Sequence, residues 1–109
     1  MNEPLIAWPP ADLAHALEAG SVQLVDVREP NEHDAERIDG AISFPLSGFN
    51  PSAVPHAPGK TTVFHCGIGK RSEAAARQCL AAGAATVHHL EGGLNAWKQA
   101  GLPTVQSEG

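Results

Sequence analysis

Short β-type runs alternate along this chain with helix-forming segments, and this alternation is the feature that most limits the possible fold. The runs "SVQLVDVRE" and "TTVFHC" are apolar on both sides of the chain, as is typical of strands buried on both faces of a sheet. Strands that alternate with helices favour parallel pairing. The sequence therefore predicts a three-layer α/β domain with a mostly parallel central sheet flanked by helices.

The same pattern assigns the individual elements of one domain, residues 1–109. Predicted helices occupy Ala11 to Ala19, "EHDAERI", "RSEAAARQCLAAG" and "LNAWKQAG". Predicted strands occupy "LIAW", "SVQLVDVRE", "AISFPL" and "TTVFHC", and "ATVHHLEGG" is predicted to be a further strand and turn. Three prolines between Ser47 and Lys60 predict a loop with short turns there.

Charge and hydropathy exclude several classes of protein. The net charge is −5, and the few cations are scattered apart from Lys70 and Arg71, so no nucleic-acid partner is expected. No apolar run approaches the roughly 20 residues that span a bilayer. The start, "MNEPLIAWPPADLAHA", lacks the basic and apolar regions of a secretory signal. We expect a cytoplasmic domain without a membrane partner.

Two cysteines and two adjacent histidines are the candidates for structural or metal sites. Cys66 and Cys79 offer neither a disulfide framework nor a four-cysteine zinc site. Cys79 lies among alanines on a helix and is predicted to be an inert core residue, with a resolving thiol as the alternative. His88 and His89 are consecutive on a strand, so their side chains point to opposite faces. We expect no metal and no cofactor.

The stretch "CGIGKRS" is the candidate reactive site. Cys66 ends the predicted strand "TTVFHC", where ligands bind in parallel sheets, and it precedes a helix N-terminus. Gly67 and Gly69 let backbone N–H groups approach an anion, while Lys70 and Arg71 add positive charge. These features favour the thiolate, the nucleophilic form of cysteine, over a buried inert thiol.

Three motifs in order resemble the rhodanese family of sulfurtransferases. "CGIGKRS" is similar to that family's active-site pattern, Cys-x-x-Gly-x-Arg-Ser. "LVDVREPNEHDAERIDGAISFPL" resembles its Asp-x-Arg-Glu and Gly-Ala-x-x-x-Pro region, and "LEGGLNAWKQAGLP" resembles its Glu-Gly-Gly-x-x-x-Trp signature. The resemblance extends over nearly the whole chain and implies a rhodanese-like domain.

The resemblance implies a sulfur-transfer reaction without a metal or an organic cofactor. Cys66 would take a sulfane sulfur from thiosulfate or a similar anionic donor, form a persulfide, and pass the sulfur to cyanide or a thiol. Asp26 and Arg28 match the Asp-x-Arg motif and would shape the pocket, with a structural ion pair as the alternative. The surrounding loop would bind the sulfur and attract the donor through Gly67, Ile68, Gly69, Lys70 and Arg71.

Two other functions compete with this one. The first is a rhodanese-like sulfur carrier or regulatory module, loaded by a protein partner that relays sulfur. The second is a cysteine-dependent phosphatase or arsenate reductase, whose cysteine and arginine are separated by five residues. Here four residues separate Cys66 from Arg71, which favours a narrower site suited to one sulfur atom, although His65 matches the phosphatase "His-Cys" start.

The chain departs from the family pattern near the expected rim of the pocket. Where relatives read Gly-His-Ile-x-Gly-Ala, this chain has "ERIDGA", and His33 stands where an aromatic residue is common. These changes at Arg37 and His33 leave the preference for a particular donor open.

Overall fold

The computed structural model of the protein describes residues 4–55 and 57–106, so residues 1–3, 56 and 107–109 of the predicted domain lie outside the described residues. None of the helices in the described ranges is long and apolar enough to span a membrane. The strands are β1 (Leu5–Trp8), β2 (Val22–Asp26), β3 (Glu36–Arg37), β4 (Ile42–Ser43), β5 (Thr61–His65), β6 (Val87–Leu90) and β7 (Val105–Gln106). The helices are α1 (Pro10–Glu18), α2 (Pro30–Ala35), α3 (Lys70–Ala81) and α4 (Gly93–Gln99).

Five strands form a parallel central sheet in the order β1-β6-β5-β2-β4. One face packs against α1 and α4 in a cluster that contains Leu13, Leu94 and Trp97. The other face packs against α3 through Ala75 and Ala76. This three-layer arrangement confirms the predicted α/β fold, and it places the end of β5 near the middle of the sheet.

The segment after β2 differs from its prediction. Helix α2 begins at Pro30 and ends at Ala35, whereas the sequence predicted a helix over "EHDAERI". The earlier start follows from Pro30 at the first helical position and from a capping box between Glu29 and Glu32. The chain becomes extended at Glu36, where β3 pairs antiparallel with β7, a strand that the sequence did not predict.

In the region between α2 and β5, the predicted strand is shorter than expected and the predicted loop is present. The predicted strand "AISFPL" is reduced to β4, Ile42–Ser43, because Pro45 begins a 3-10 turn over Leu46–Gly48. A second 3-10 turn covers Pro51–Ala53. The expected loop with short turns between Ser47 and Lys60 is therefore present.

The β3–β7 pair is reinforced by the side chain of Glu36. Its carboxylate accepts hydrogen bonds from Lys98 Nζ at 2.8 Å, Thr104 Oγ1 at 2.7 Å and Gln106 Nε2 at 3.2 Å. The hydrogen bond from Lys98, followed by those from Thr104 and Gln106, lowers the pKa of Glu36 to about 2. The contact joins α4 and the C-terminal strand to the end of α2.

Glu36→Gln should lower the free energy of unfolding by about 1 kcal/mol at pH 7, a value reduced for solvent screening. Because the folded-state pKa lies below the ordinary value of 4.5, this stabilisation is present above pH 4.5 and is lost as the pH falls towards 2. Urea unfolding from pH 7 to pH 2.5 should show the variant and the natural protein converging. Glu18→Gln, at an exposed position, should change the stability by less than about 0.5 kcal/mol throughout. A Glu36 variant as stable as the natural protein at pH 7 would contradict the assignment.

Candidate active site

Cys66 lies in the turn between β5 and α3, at the carboxyl end of a parallel strand. Its side chain is fully buried. The backbone N–H of Gly69 donates a hydrogen bond to Sγ at 3.0 Å, and the thiol lies 3.6 Å from Ser72 Oγ, which accepts from it. The sulfur therefore has a backbone donor on one side and a hydroxyl group on the other.

The turn requires glycine at the position before the helix. Gly69 has φ +105°, a conformation that residues with a side chain rarely adopt. This conformation lets the chain turn sharply into α3, so that the helix begins at Lys70, directly after the Gly69 N–H that donates to Sγ. The positive end of a helix favours a nearby anion. The local geometry thus suits a thiolate or a persulfide anion.

The first turn of α4 holds the other side of the loop. Leu94 N donates to Cys66 O at 2.8 Å, and Asn95 N donates to Gly67 O at 2.9 Å. Gly93, at φ +62°, makes this approach possible: a Cβ there would lie 2.5 Å from Cys66 O and 2.7 Å from Gly67 O. The "EGG" motif therefore supports the loop through backbone contact.

Arg71 is paired with a carboxylate from α2. Its Nη1 and Nη2 donate to the two carboxylate oxygens of Glu32 at 2.6 and 3.0 Å. The hydrogen bond from Arg71 lowers the pKa of Glu32 to about 2, and the same bond raises the pKa of Arg71. The sequence predicted that Arg71 adds positive charge to the loop, and the structure pairs that charge with Glu32.

The remaining loop residues face outward. Ile68 is 63% exposed, and Lys70 is also exposed. Lys70 has no ion-pair partner within residues 4–55 and 57–106. The predicted anion-binding loop thus combines a buried sulfur, an arginine paired with Glu32, and an exposed rim at which Lys70 makes no ion pair with any described carboxylate.

Asp26 and Arg28 form a buried ion pair at the end of β2. Arg28 Nη2 donates to Asp26 Oδ2 at 2.7 Å, and Nε donates to Oδ1 at 3.0 Å. Burial raises the pKa of Asp26, but the hydrogen bonds from Arg28 and the charge of His65 together hold it below its ordinary value. This geometry is the structural ion pair that the sequence left as an alternative, and a role in shaping the pocket stays a prediction.

The ion pair also organises residues from neighbouring elements. His33 Nδ1 lies 2.9 Å from Asp26 Oδ2, which connects α2 to the end of β2. His65 Nε2 lies 3.7 Å from the same oxygen and makes no hydrogen bond within the described part of the chain, and burial lowers the pKa of this histidine. Arg37 Nη1 contacts the carbonyls of His33 and Asp34 at the end of α2. His33 and Arg37 therefore stabilise α2.

The two adjacent histidines of β6 lie on opposite faces of the sheet, as predicted. His88 Nδ1 accepts a hydrogen bond from Trp8 Nε1 at 3.0 Å. His89 Nδ1 lies 3.2 Å from Ser72 Oγ, beside the thiol of Cys66. Because these two side chains point away from each other, they cannot bind one metal ion together.

Cys79 is buried in α3, and burial raises the pKa of its thiol.

Four residues that the sequence did not single out as site residues contribute to the site, namely Glu32, Ser72, His89 and Gly93. Ser72 stands inside the motif itself and could have been found from its position in the first turn of α3. Gly93 carried a weaker signal, since paired glycines before a helix indicate an unusual backbone. Glu32 and His89 reach the loop only through tertiary contacts, which no local pattern reports.

Comparison with known proteins identifies relatives of this architecture. The family profile of the rhodanese-like domain matches residues 9–100. An uncharacterized protein of Synechocystis sp. is 52% identical over 99 residues, which cover 91% of this chain and 55% of that protein. A sulfurtransferase of Allochromatium vinosum is 36% identical over 90 residues, covering 81% of this chain and 82% of that protein. The chain thus spans about half the length of the Synechocystis relative.

A solved structure agrees with these sequence matches. The crystal structure of a rhodanese-related protein from Thermoplasma volcanium is similar to this chain, with a TM-score of 0.78 at 29% identity. The match covers 92% of this chain and 97% of that one.

Gly93→Ala should destabilise the protein by about 2–5 kcal/mol. The added Cβ meets two loop carbonyls, which adds overpacking to the roughly 1–2 kcal/mol of a left-handed backbone. Gly20→Ala is the matched control, because Gly20 has a similar φ of +72° but no atom within 4 Å of the added Cβ. Urea unfolding measures both variants, and equal losses would contradict the proposed contact between Gly93 and the loop.

Proposed function

The chain belongs to the rhodanese-like domain family, and we propose that it is a sulfurtransferase that carries a sulfane sulfur on Cys66. The observation that carries the proposal is the environment of Sγ, which accepts a hydrogen bond from the N–H of Gly69 at the N-terminus of α3. Donors aimed at a developing or resting anion act strongly where water is excluded. The 36% identity to a sulfurtransferase over 81% of this chain supports the same activity.

The reaction proceeds in two half-reactions with thiosulfate as the proposed donor. The Cys66 thiolate attacks the sulfane sulfur and forms a new S–S bond, while the S–S bond of thiosulfate breaks and sulfite leaves with the electron pair. The persulfide anion then remains at the N-terminus of α3. In the second half-reaction, cyanide or a thiol attacks the outer sulfur and regenerates the Cys66 thiolate. The N–H of Gly69, which donates to Sγ, would stabilise the anion in both states.

The surface of the loop favours an anionic donor. Lys70 is exposed next to the thiol-bearing turn and has no carboxylate partner in the described ranges, so its charge is available to a ligand. Arg71 is held by Glu32 and contributes less to long-range attraction. We assign Lys70 to attracting the donor and Arg71 to fixing the loop. A cytoplasmic location, where thiols remain reduced, belongs to the same proposal.

A sulfur carrier loaded by a protein partner is the second candidate function. The observation that favours it is Ile68, which is 63% exposed at the edge of the loop. A large apolar side chain in this position offers a contact to a protein that delivers or accepts sulfur. Loading by a cysteine desulfurase, faster than loading by thiosulfate, would support this candidate over the free enzyme.

Phosphatase or arsenate reductase chemistry is less well supported by the geometry. An arginine that binds a phosphate frequently donates two parallel N–H hydrogen bonds to the oxygens of the ligand. In this protein both outer nitrogen atoms of Arg71 donate to Glu32. Together with the four-residue spacing between Cys66 and Arg71, this pairing favours a sulfur-binding loop.

Incubation with thiosulfate should add one sulfur atom, about 32 Da, to the protein, and this addition should depend on Cys66 alone. Cys66→Ser should abolish both the mass increase and thiocyanate formation, whereas Cys79→Ala should retain most of the activity because burial keeps Cys79 protonated. Intact-protein mass spectrometry and a thiocyanate assay measure these outcomes. Loss of transfer in folded Cys79→Ala would replace the single-thiol mechanism with a disulfide relay. Hydrolysis of aryl phosphates faster than sulfur transfer would contradict the proposed function.

Lys70→Ala should raise the KM for thiosulfate about three- to tenfold at low salt, with a smaller change in kcat, because it removes attraction for the dianion. The difference should shrink as the ionic strength rises. Lys60→Ala is the matched control, because Lys60 is exposed just before the start of β5, at the end of the strand remote from Cys66. Equal effects of the two substitutions would show that only the net charge matters.

A further inference from the structure

Three side chains from three elements form a continuous path away from the buried thiol. Cys66 Sγ lies 3.6 Å from Ser72 Oγ, and Ser72 Oγ lies 3.2 Å from His89 Nδ1. Cys66 follows β5, Ser72 belongs to α3, and His89 belongs to β6. The path begins at two fully buried residues and ends at a histidine that is only half-buried.

We propose that His89 is the proton acceptor for Cys66 and that Ser72 passes the proton between them. This assignment rests on the proposed function, since it explains how the sulfur-carrying thiol becomes a nucleophile. The thiol proton moves to Ser72 Oγ as the hydroxyl proton of Ser72 moves to His89 Nδ1. The products are a thiolate, an unchanged serine and an imidazolium, so both protons and charge balance.

The burial of the thiol is the reason that such a path is needed. Neither Cys66 nor Ser72 has exposed surface, so bulk water has no direct access to the thiol proton while the loop is closed. Ser72 has one proton and two acceptors within reach, Gly69 O at 3.1 Å and His89 Nδ1 at 3.2 Å. Its hydroxyl group rests on Gly69 O or on His89, and transfer occurs from the second orientation. His89 then delivers its proton to solvent through its accessible side.

Burial favours the neutral ring of His89, which is the form that can accept a proton. Burial lowers the pKa of His89, while the charges of Glu73 and Glu91 oppose this effect and that of Arg77 reinforces it. Glu73 and Arg77 lie on α3, and Glu91 follows β6. Beside His89 the sheet contributes Ala7 of β1 and Phe64 of β5, neither of which is charged. A neutral ring with its hydrogen on Nε2 leaves Nδ1 unprotonated, so the lone pair of Nδ1 can accept a hydrogen bond from Ser72.

In the first half-reaction this path accepts the proton of the Cys66 thiol, which thiosulfate itself does not remove. Cys66 S–H and thiosulfate give the Cys66 persulfide anion and sulfite, with one proton transferred to His89. The S–S bond to the sulfane sulfur forms as the S–S bond of thiosulfate breaks, and sulfite takes the electron pair. No oxidant or reductant other than the proposed donor is needed.

The test compares His89→Gln with His88→Gln in a Cys79→Ala background, where Cys66 is the single thiol. His88 is the matched control because it is the adjacent histidine on the opposite face of β6 and contacts Trp8. The second-order rate of alkylation by iodoacetamide is measured from pH 5 to pH 9. His89→Gln and Ser72→Ala should each lower the rate at pH 7 by at least about tenfold. His88→Gln should remain within about twofold of the background protein.

The double variant Ser72→Ala/His89→Gln adds a readout that a purely structural role would not produce. If the two residues form one path, the double variant should be no slower than the slower single variant. Fully multiplicative losses would overturn the proposal. Nitrogen-15 spectra of the unaltered protein should show His89 in the Nε2–H form at pH 7, and an Nδ1–H form would also overturn it.

Alkylation does not depend on the sulfur donor, so the two proposals can fail separately. Suppose that His89→Gln slows alkylation as expected, but the unaltered protein takes no sulfur from thiosulfate or from a desulfurase. This result would support the proton path and reject the proposed function. Unchanged alkylation and unchanged sulfur transfer in His89→Gln would reject the proton path and leave the sulfurtransferase activity standing.

Discussion

Two backbone hydrogen bonds from the start of α4 to the carbonyls of Cys66 and Gly67 are the constraint on which the site depends. Because the peptide bonds are trans, fixing these carbonyls toward α4 directs the N–H groups of Gly67 and Ile68 to the opposite side of the loop. The absence of a Cβ at Gly93 allows the helix to approach closely enough for both bonds to form. The loop is thereby shaped by the backbone, whose cost of reorganisation during the reaction is small.

A second support reaches the loop from the side of α2. Glu32 holds Arg71, His33 contacts Asp26, and Glu36 joins the end of this helix to α4 and β7. The short helix is thus bound at both ends although none of its residues is buried. Its stability comes from ionic and hydrogen-bonding contacts rather than from a hydrophobic face. The positive charge of Arg71 consequently serves the architecture of the loop as well as its electrostatics.

The parts of the structure that the sequence predicted are those governed by local patterns. The apolar run of β5, the glycine turn and the alanine-rich helix α3 are adjacent in sequence, so their order alone placed Cys66 correctly at a strand end. The two-residue strands β3 and β7 depend on pairing across about 70 positions, and no local propensity distinguishes them. The predicted start of α2 was wrong because the capping box between Glu29 and Glu32 begins the helix at Pro30, before the polar segment "EHDAERI" that the prediction favoured. The contact between Arg71 and Glu32 crosses 39 positions, and it could not be read from either motif alone.

The complete burial of Cys66 also sets how the protein handles competing reagents. Oxidation of a cysteine depends on exposure as well as on thiolate character, and a thiol without exposed surface reacts only when the loop opens. Peroxide and sulfur donor must therefore share the same openings. The outcome of their competition is decided by how long each opening lasts and by how strongly the rim retains an anion during it. An uncharged oxidant gains no such retention, so a loop that opens briefly would favour the anionic donor that we propose over peroxide.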